Sequence, residues 1–352
     1  MTALPGLFDV LKVGDLVLPN RIVMAPLTRC RAGASRVPND MMVEYYRQRA
    51  SAGLIVTEAT IVSAMGAGYA GTPGIWSSEQ VAGWKRVTQA VHAAGGRIFL
   101  QLWHVGRVSH PMFLEGKLPL APSAIAPAGT VSQVRPKTPY VAPRALERGE
   151  IPAVIEEFRR GAGNAQLAGF DGVELHGANG YLLDQFLQDK TNQRTDDYGG
   201  GIENRARFML EAADAAISVW GSGRVGVHLA PRCDAHDMGD SDPAATFGFV
   251  ARELGRRKIA FLCAREHVAA DSLGPKLKAE FGGVYVANEG FTRESAAQIL
   301  AAGTADAVAF GKLFISNPDL PQRLRWDGPL SPWNPATFYS DGAAGYTDYS
   351  AL

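Results

Sequence analysis

The sequence predicts an α/β protein with the fold of a (β/α)8 TIM barrel. Eight short apolar runs, many of them β-branched, recur along the 352 residues, and stretches with helical patterning separate them. The runs are nearly continuous in apolar residues, as is typical of parallel strands buried on both faces. Eight alternating strand–helix units therefore predict a closed parallel barrel.

The eight units follow in order along the chain. The predicted strands are RIVMAP (21–26), LIVTEA (54–59), RIFLQLW (97–103), GVELHG (172–177), RVGVHLAP (224–231), IAFLCARE (259–266), GVYVANEG (283–290) and DAVAFGK (306–312). The predicted helices cover 41–53, 78–96, 151–169, 202–220, 242–257, 273–281, 292–303 and 317–324. Glycines end the second helix, and Thr292 is expected to cap the seventh, with a glutamate in its first turn.

A doubly wound sheet is the alternative fold. That fold usually carries a glycine-rich phosphate turn after its first strand, whereas the first strand here runs into APLTRC. The glycine cluster GAGNAQLAG (161–169) lies inside a helical pattern and lacks a third glycine in register. We therefore interpret it as a packing feature.

We expect a single domain over residues 1–352. Residues 103–150 contain seven prolines and form a long insertion after the third strand, on the face where barrel enzymes bind substrates. The segment 326–352 carries Tyr339, Tyr346 and Tyr349 among glycines, and we expect it to wrap around the barrel in an ordered form.

Composition excludes several classes of protein. The 35 basic and 35 acidic residues balance, with no basic patch for nucleic acid. Cys30, Cys233 and Cys263 match neither a disulfide framework nor a zinc motif. The start MTALPGLFDVLKVGD lacks the apolar core of a signal peptide, and no apolar run could span a membrane. The protein is expected to be soluble and cytoplasmic.

Barrel enzymes place their chemistry at the carboxyl ends of the strands. The polar and small residues at those ends are Pro26, Leu27, Thr28, Glu58, Ala59, Thr60, Gln101, Trp103, His104, His176, Asn179, Tyr181, His228, Arg232, Asn288, Glu289, Gly290, Gly311 and Lys312.

The last two strand ends indicate a phosphate site. Gly290 and Gly311 allow close approach of backbone amides, a helix begins just after Gly290, and Lys312 adds a positive charge. The neutral groups of Thr28, Gln101, His176 and Asn179 suit the edge of a flat heterocycle better than a metal.

A metal site is not expected. His104 with His110, and the group Asp234, His236 and Asp237, are the alternatives, but neither segment has a standard ligand spacing.

The chain resembles the old yellow enzymes, the FMN-dependent ene-reductases. The motifs that carry the resemblance run nearly end to end: NRIVMAPLTR, YYRQRASAGLIVTEAT, GYAGTPGIWSSEQ, GGRIFLQLWHVGRVSHP, GFDGVELHGANGYLLDQFLQDKTNQRTDDYGG, IENRARF, ADAVAFGKLFISNPDLP and FYSDGAAGYTDY. At position 28 the chain resembles the branch of the family that has threonine, and not cysteine, there.

The resemblance implies roles for most of the strand-end residues. Tightly but non-covalently bound FMN would contact Pro26, Leu27, Thr28, Ala59, Gln101 and His228, and its phosphate would contact Asn288, Glu289, Gly290, Gly311 and Lys312. The substrate would lie between Tyr69, Trp103 and Tyr339. His176 and Asn179 would hold its carbonyl oxygen, and Tyr181 would be the proton donor.

The implied reaction is ping-pong transfer of hydride from NADPH or NADH through FMN to the β-carbon of an α,β-unsaturated carbonyl compound, with Tyr181 protonating the α-carbon. Nitro compounds, nitrate esters or quinones are alternative acceptors. A flavin-binding protein without turnover and a cofactor-free aldolase or isomerase barrel are rival classes. The expected partner is a small activated alkene, and a homo-oligomer stays open.

Two positions depart from the commonest family pattern. The family often has arginine where this chain has His228 and Lys312. An arginine fork binds in a bidentate way, whereas lysine is a point charge and histidine can be neutral. We therefore expect cofactor contacts at these positions to differ from those of an arginine.

Overall fold

The computed structural model describes residues 6–352, so that Met1–Pro5, at the start of the segment judged not to be a signal peptide, lie outside the described residues. The strands in this range are β1 (Leu11–Val13), β2 (Leu16–Leu18), β3 (Ile22–Met24), β4 (Leu54–Val56), β5 (Thr60–Ile61), β6 (Ile98–Trp103), β7 (Leu120–Ala121), β8 (Arg144–Ala145), β9 (Gly172–Gly177), β10 (Val225–Leu229), β11 (Phe261–Arg265), β12 (Tyr285–Asn288) and β13 (Ala307–Phe310).

Eight of these strands close into a parallel barrel. Around the ring the order is β3, β4, β6, β9, β10, β11, β12 and β13, which pairs again with β3. Each barrel strand lies within one of the eight predicted runs, so the predicted fold class is confirmed. Parallel strands run in one direction, and all their carboxyl ends therefore meet at one rim.

The helices are α1 (Asp40–Gln48), α2 (Ser78–Ala93), α3 (Ile151–Leu167), α4 (Leu182–Leu187), α5 (Ile202–Trp220), α6 (Pro243–Arg256), α7 (Gly274–Phe281), α8 (Arg293–Ala301), α9 (Lys312–Ser316) and α10 (Leu320–Trp326). Eight of them overlap the predicted helices, although α1 begins one residue before its predicted range and α10 ends two residues after its own. Helices α4 and α9, of six and five residues, were not predicted. No helix within the described range combines the length and the apolar character that crossing a membrane requires.

Local signals at two helices behave as the sequence indicated. Thr292 caps α8 by accepting a hydrogen bond from the amide of Ser295, and the Ser295 side chain completes the capping box. Gly161 lies inside α3, where an added Cβ would be 3.0 Å from Val62 and 3.1 Å from Leu102. This glycine of the 161–169 cluster thus allows the helix to approach the barrel closely.

The hairpin of β1 and β2 covers the amino end of the barrel. Its apolar side chains Leu11, Val13, Leu16 and Leu18 belong to the same buried cluster as the barrel's interior residues. The tight turn needs Gly14, whose φ is +54° and whose Cβ would meet the carbonyl oxygen of Gly223 at 2.1 Å. The opposite rim, where the carboxyl ends meet, holds the candidate site.

The C-terminal segment packs against the first strand–helix unit. Tyr346 is fully buried and stacks on Tyr45 of α1, with ring centroids 4.1 Å apart. The guanidinium of Arg29 donates to the carbonyl oxygens of Phe338 and Gly345 at 3.0 and 2.7 Å. These contacts hold Tyr339 near the rim.

Candidate active site

Three adjacent strands bring four predicted residues together at the rim. Gln101 and Trp103 lie on β6, His176 on β9 and His228 on β10. Residues two apart in a strand point to the same face, and His228 is paired in register with His176. Their imidazole centroids are 6.0 Å apart, and all four side chains are buried.

Tyr181, just before α4, lies within an aromatic group. Its ring is edge-on to Trp103 and to His176, with centroids 4.9 Å away in both cases. The phenol oxygens of Tyr181 and Tyr69 are 2.9 Å apart, and the ring of Tyr69 stacks on Trp103 at 5.5 Å. Burial raises the pKa of both phenols, so each keeps its proton at neutral pH. Tyr339 is 47% exposed and follows Phe338, whose carbonyl oxygen accepts a hydrogen bond from Arg29.

A tight turn sets the position of Asn179. Asn179 and Gly180 both have positive φ, +60° and +79°, a backbone region that asparagine and glycine adopt more readily than other residues. A Cβ on Gly180 would lie 2.8 Å from the Met238 side chain and 2.9 Å from the Ala235 carbonyl oxygen. The amide of Gly180 donates to the carboxyl of Asp184 at 2.9 Å. Position 180 therefore requires glycine, and the backbone at position 179 favours asparagine.

The segment considered as an alternative metal site packs on this turn. Nδ1 of His236 lies 2.9 Å from the carbonyl oxygen of Asn179, and its ring centroid is 5.6 Å from that of Tyr181. Arg107 donates to the carbonyl oxygen of His236. His236 thus supports the turn that presents Asn179.

Gln101 and His228 also belong to a polar layer with Glu174 on the same three strands. Nε2 of Gln101 donates to Glu174 at 2.7 Å and lies 3.4 Å from Nδ1 of His228. Nδ1 of His228 is 3.8 Å from the Glu174 carboxyl. Burial raises the pKa of Glu174 to about 8 and lowers that of His228 to about 3, so the pair is a neutral carboxylic acid beside a neutral imidazole at pH 7.

Glu174, His228 and Cys263 place one ligand atom each within 4.8 Å of one another. Burial also raises the pKa of the Cys263 thiol, which leaves three uncharged groups. Three neutral groups in a dry site do not favour a cation.

The same layer fits the polar edge of a flavin. Nε2 of His228 and Oε1 of Glu174 are buried without a protein partner. Because the amide of Gln101 can only donate at its nitrogen, Nδ1 of His228 accepts and Nε2 carries the proton. The layer therefore offers an unpaired N–H and an unpaired carboxyl oxygen, and a heterocycle with carbonyl and N–H edges could satisfy both.

The two loops predicted to bind phosphate have glycines at this rim. Gly290 follows β12 with φ +78°, and Gly311 follows β13. A Cβ on Gly311 would lie 3.3 Å from the side chain of Leu27, so glycine keeps the space beside that residue open. Lys312 is exposed at the start of α9.

The remaining predicted cofactor contacts lie at the same rim. Pro26 and Thr28, which flank Leu27, are half-buried, and Ala59 belongs to the apolar cluster of Trp103. Asn288, at the end of β12, is buried and pairs with Arg265 of β11.

Sequence reasoning missed Glu174 and Arg265. Glu174 interrupts an apolar strand two residues before His176, so side-chain alternation could have identified it. Arg265 is the last residue of β11, the only barrel strand from which no candidate was taken. It contacts Asn179 and Glu289, which are distant in sequence.

Comparison with known proteins identifies the family. The model of the NADH:flavin oxidoreductase / NADH oxidase family matches residues 6–330. The 12-oxophytodienoate reductase 1 of Oryza sativa subsp. japonica is 43% identical over 358 residues, which cover 97% of this chain and 92% of that protein. A probable flavin mononucleotide-dependent alkene reductase of Leishmania infantum is 44% identical over 96% of this chain and 95% of its own length.

Comparison with solved structures identifies the same family. The old yellow enzyme homologue from Zymomonas mobilis has a TM-score of 0.96 and 44% identity, over 99% of this chain and 100% of that one. Morphinone reductase in complex with tetrahydroNAD has a TM-score of 0.94 and 47% identity, over 99% and 98% of the two chains. The chain therefore belongs to the old yellow enzyme family and is an NAD(P)H-dependent flavin oxidoreductase.

Proposed function

We propose that this protein is an ene-reductase that reduces the C=C bond of α,β-unsaturated carbonyl compounds with NAD(P)H. The observation that carries the proposal is the neutral phenol of Tyr181, which lies against His176 at the rim and contacts the same His236 ring as the turn of Asn179. The printed name of the Leishmania relative, an alkene reductase, supports it.

FMN is the proposed cofactor, held without a covalent bond. The residues proposed to hold its ring are Pro26, Leu27, Thr28, Ala59, Gln101 and His228, and those proposed to hold its phosphate are Asn288, Glu289, Gly290, Gly311 and Lys312. When bound, FMN supplies the hydride chemistry between NAD(P)H and the β-carbon. We propose that NAD(P)H and the alkene share one pocket, with Tyr69, Trp103 and Tyr339 at its walls. The two would then bind in turn, which is ping-pong kinetics.

His176 and Asn179 hold the substrate's carbonyl oxygen. Negative charge grows on that oxygen as hydride reaches the β-carbon, and positioned N–H donors stabilise it. Removing one such donor typically costs about 3 kcal/mol. Burial, His228 and Arg265 together lower the pKa of His176 well below its usual value, so it acts as a neutral donor.

Tyr181 supplies the proton to the α-carbon. Its raised pKa keeps the phenol protonated at neutral pH, and Tyr69 holds its oxygen at 2.9 Å. A phenol positioned in this way can act as a general acid.

The test is Tyr181→Phe, with the two half-reactions measured separately under anaerobic conditions. NADPH should bleach the flavin spectrum of the variant at the wild-type rate, because that step needs no acid. Reoxidation of the reduced flavin by cyclohexenone, seen as the return of its colour, should slow by at least about 100-fold, because one general acid typically contributes a rate factor of this size.

A nitro compound is the comparison acceptor, and its reduction is measured beside that of cyclohexenone in both proteins. If Tyr181→Phe reduces cyclohexenone as fast as wild type, the proton-donor role is wrong. If wild type reduces nitro compounds, nitrate esters or quinones but not cyclohexenone, the alternative acceptor class replaces the proposal. A flavin colour that NADPH never bleaches would indicate a binding protein without turnover.

A further inference from the structure

Arg265 lies at the rim on the sixth barrel strand. Phe261 and Cys263 of β11 belong to the interior cluster, and residues two apart share a face, so Arg265 continues this face to the carboxyl end. Its side chain is about one-third exposed. Partly exposed arginine–carboxylate pairs are common and are often weak, so the pair with Glu289 is not by itself a functional feature.

The guanidinium of Arg265 contacts both Glu289 and Asn179. Its Nε and Nη2 donate to the two carboxylate oxygens of Glu289 at 2.8 and 2.9 Å, which fixes the plane of the guanidinium. The remaining nitrogen, Nη1, donates to Oδ1 of Asn179 at 2.8 Å. The arginine therefore joins the ends of β11 and β12 to the turn after β9.

This contact selects one orientation of the Asn179 carboxamide. A guanidinium can only donate, so the amide oxygen must face Arg265 and the amide NH2 must face away from it. Without Arg265, rotation by about 180° would exchange the oxygen and the NH2. An amide oxygen facing the substrate's carbonyl oxygen would repel it.

The backbone of Glu289 supports a specific use of its side chain. Glu289 has φ +102°, a conformation that residues other than glycine rarely adopt. A glycine would relieve the strain but would leave the guanidinium of Arg265 without its bidentate partner.

We propose that Arg265, anchored by Glu289, is a positioning residue that holds the NH2 of Asn179 toward the substrate's carbonyl oxygen. The proposal rests on the proposed function, because it assigns to Asn179 the contact with that oxygen. The guanidinium of Arg265 reaches the substrate's side of the site through the Asn179 carboxamide, so we expect its effect to depend on Asn179.

The test is a double-mutant cycle of Arg265→Gln and Asn179→Ala in the FMN-loaded enzyme. We expect Arg265→Gln to lower kcat/KM for cyclohexenone about tenfold, the effect of losing one hydrogen bond to a charged group. The double variant should be no slower than Asn179→Ala, because Arg265 acts through Asn179. Binding of the unreactive ketone cyclohexanone, followed through the flavin spectrum, should weaken by a similar factor in Arg265→Gln.

Two further variants separate positioning from folding. Arg257→Gln is the matched control, because Arg257 makes a similar fork on Asp214 at 2.7 and 3.0 Å on the outer helices, and it should leave both measurements unchanged. Arg265→Lys keeps the positive charge and N–H donors on a single nitrogen, without the guanidinium fork, and should recover part of the loss. If Arg265→Gln does not fold, Glu289→Gln replaces it in the cycle, with a smaller loss that again vanishes in the Asn179→Ala background.

Three outcomes overturn the inference alone. The first is an unchanged kcat/KM for Arg265→Gln while Asn179→Ala is slow. The second is a double variant in which the two losses in kcat/KM multiply. The third is that Arg265→Gln loses FMN and does not weaken ketone binding. If Asn179→Ala itself reduces cyclohexenone normally, the proposed function of that residue fails first. The two failures are therefore distinguishable.

Discussion

The neutral pair of Glu174 and His228 makes a sharp prediction about pH. Glu174 is fully buried, accepts one hydrogen bond from Gln101 and has a pKa raised from 4.5 to about 8 by burial. We expect Glu174→Gln to remove a pH-dependent loss of stability, because glutamine has nearly the same shape as the neutral acid and cannot ionise.

The sign and size follow from proton binding. Below pH 4.5 the carboxyl is protonated in both states, and the folded protein has its full stability. As the pH rises toward 8, the unfolded chain releases this proton and the folded protein keeps it. The free energy of unfolding then falls by about 1.4 kcal/mol per pH unit, for a total of about 4 kcal/mol between pH 5 and 9.

The assay is urea unfolding of wild type and Glu174→Gln at pH 5, 7 and 9, both without FMN, because a bound flavin would contact Glu174 and change its pKa. The difference in unfolding free energy between the two proteins should change by several kcal/mol across this range in favour of the variant. Other buried carboxyls, such as Glu58 and Asp184, are present in both proteins and cancel. Glu203→Gln, at an exposed position on α5, is the control and should follow wild type. Parallel curves for wild type and Glu174→Gln would refute the neutral buried acid.

Two other substitutions test the site. Tyr69→Phe should slow enone reduction about fivefold, because Tyr181 loses a hydrogen bond between neutral groups. Tyr198→Phe is the control, because it loses a hydrogen bond to a glutamate outside the site and should leave the rate unchanged. Stopped-flow reoxidation of the flavin by cyclohexenone measures both variants, and equal rates would contradict the role of Tyr69. Gly290→Ala should raise the Kd of FMN about fivefold, because φ +78° costs a residue with a Cβ about 1 kcal/mol. Gly282→Ala is the control, because Gly282 has φ +66° at the end of α7 and no atom near its Cβ. It should lose similar stability without raising the Kd of FMN. An unchanged Kd in both variants would show that Gly290 does not contact the phosphate.

The barrel could be predicted because its strands have a strong local signal. Each is a continuous apolar run, and eight of them between helices leave few topologies. Helices α4 and α9 were missed because six and five residues are too few to show a 3.6-residue period. The β1–β2 hairpin has alternating burial around Gly14 and Asp15, a signal that was available in the sequence.

The site could be predicted only in part, for a physical reason. A strand-end rule identifies which residues reach the rim, so His176 and Asn179 were found. It does not identify which side chains meet there, because the Arg265–Asn179 contact joins residues 86 positions apart. Nor does it indicate that Glu174 is a neutral acid, since that depends on complete burial without a cationic partner.

These features together determine where charge lies around the proposed substrate oxygen. His228 has the neutral imidazole where the family often has an arginine, and Glu174 beside it keeps its proton, so the interior layer carries no formal charge. A cation at position 228 would pull the proton from Glu174 and create a buried ion pair, whose cost of desolvation can exceed its gain. The positive charge lies instead on Arg265, at the partly exposed rim, where it is paired with Glu289 and costs less to hold. Neutral donors, with a cation one contact behind them, can stabilise the growing charge on the carbonyl oxygen while leaving the uncharged substrate and product free to exchange.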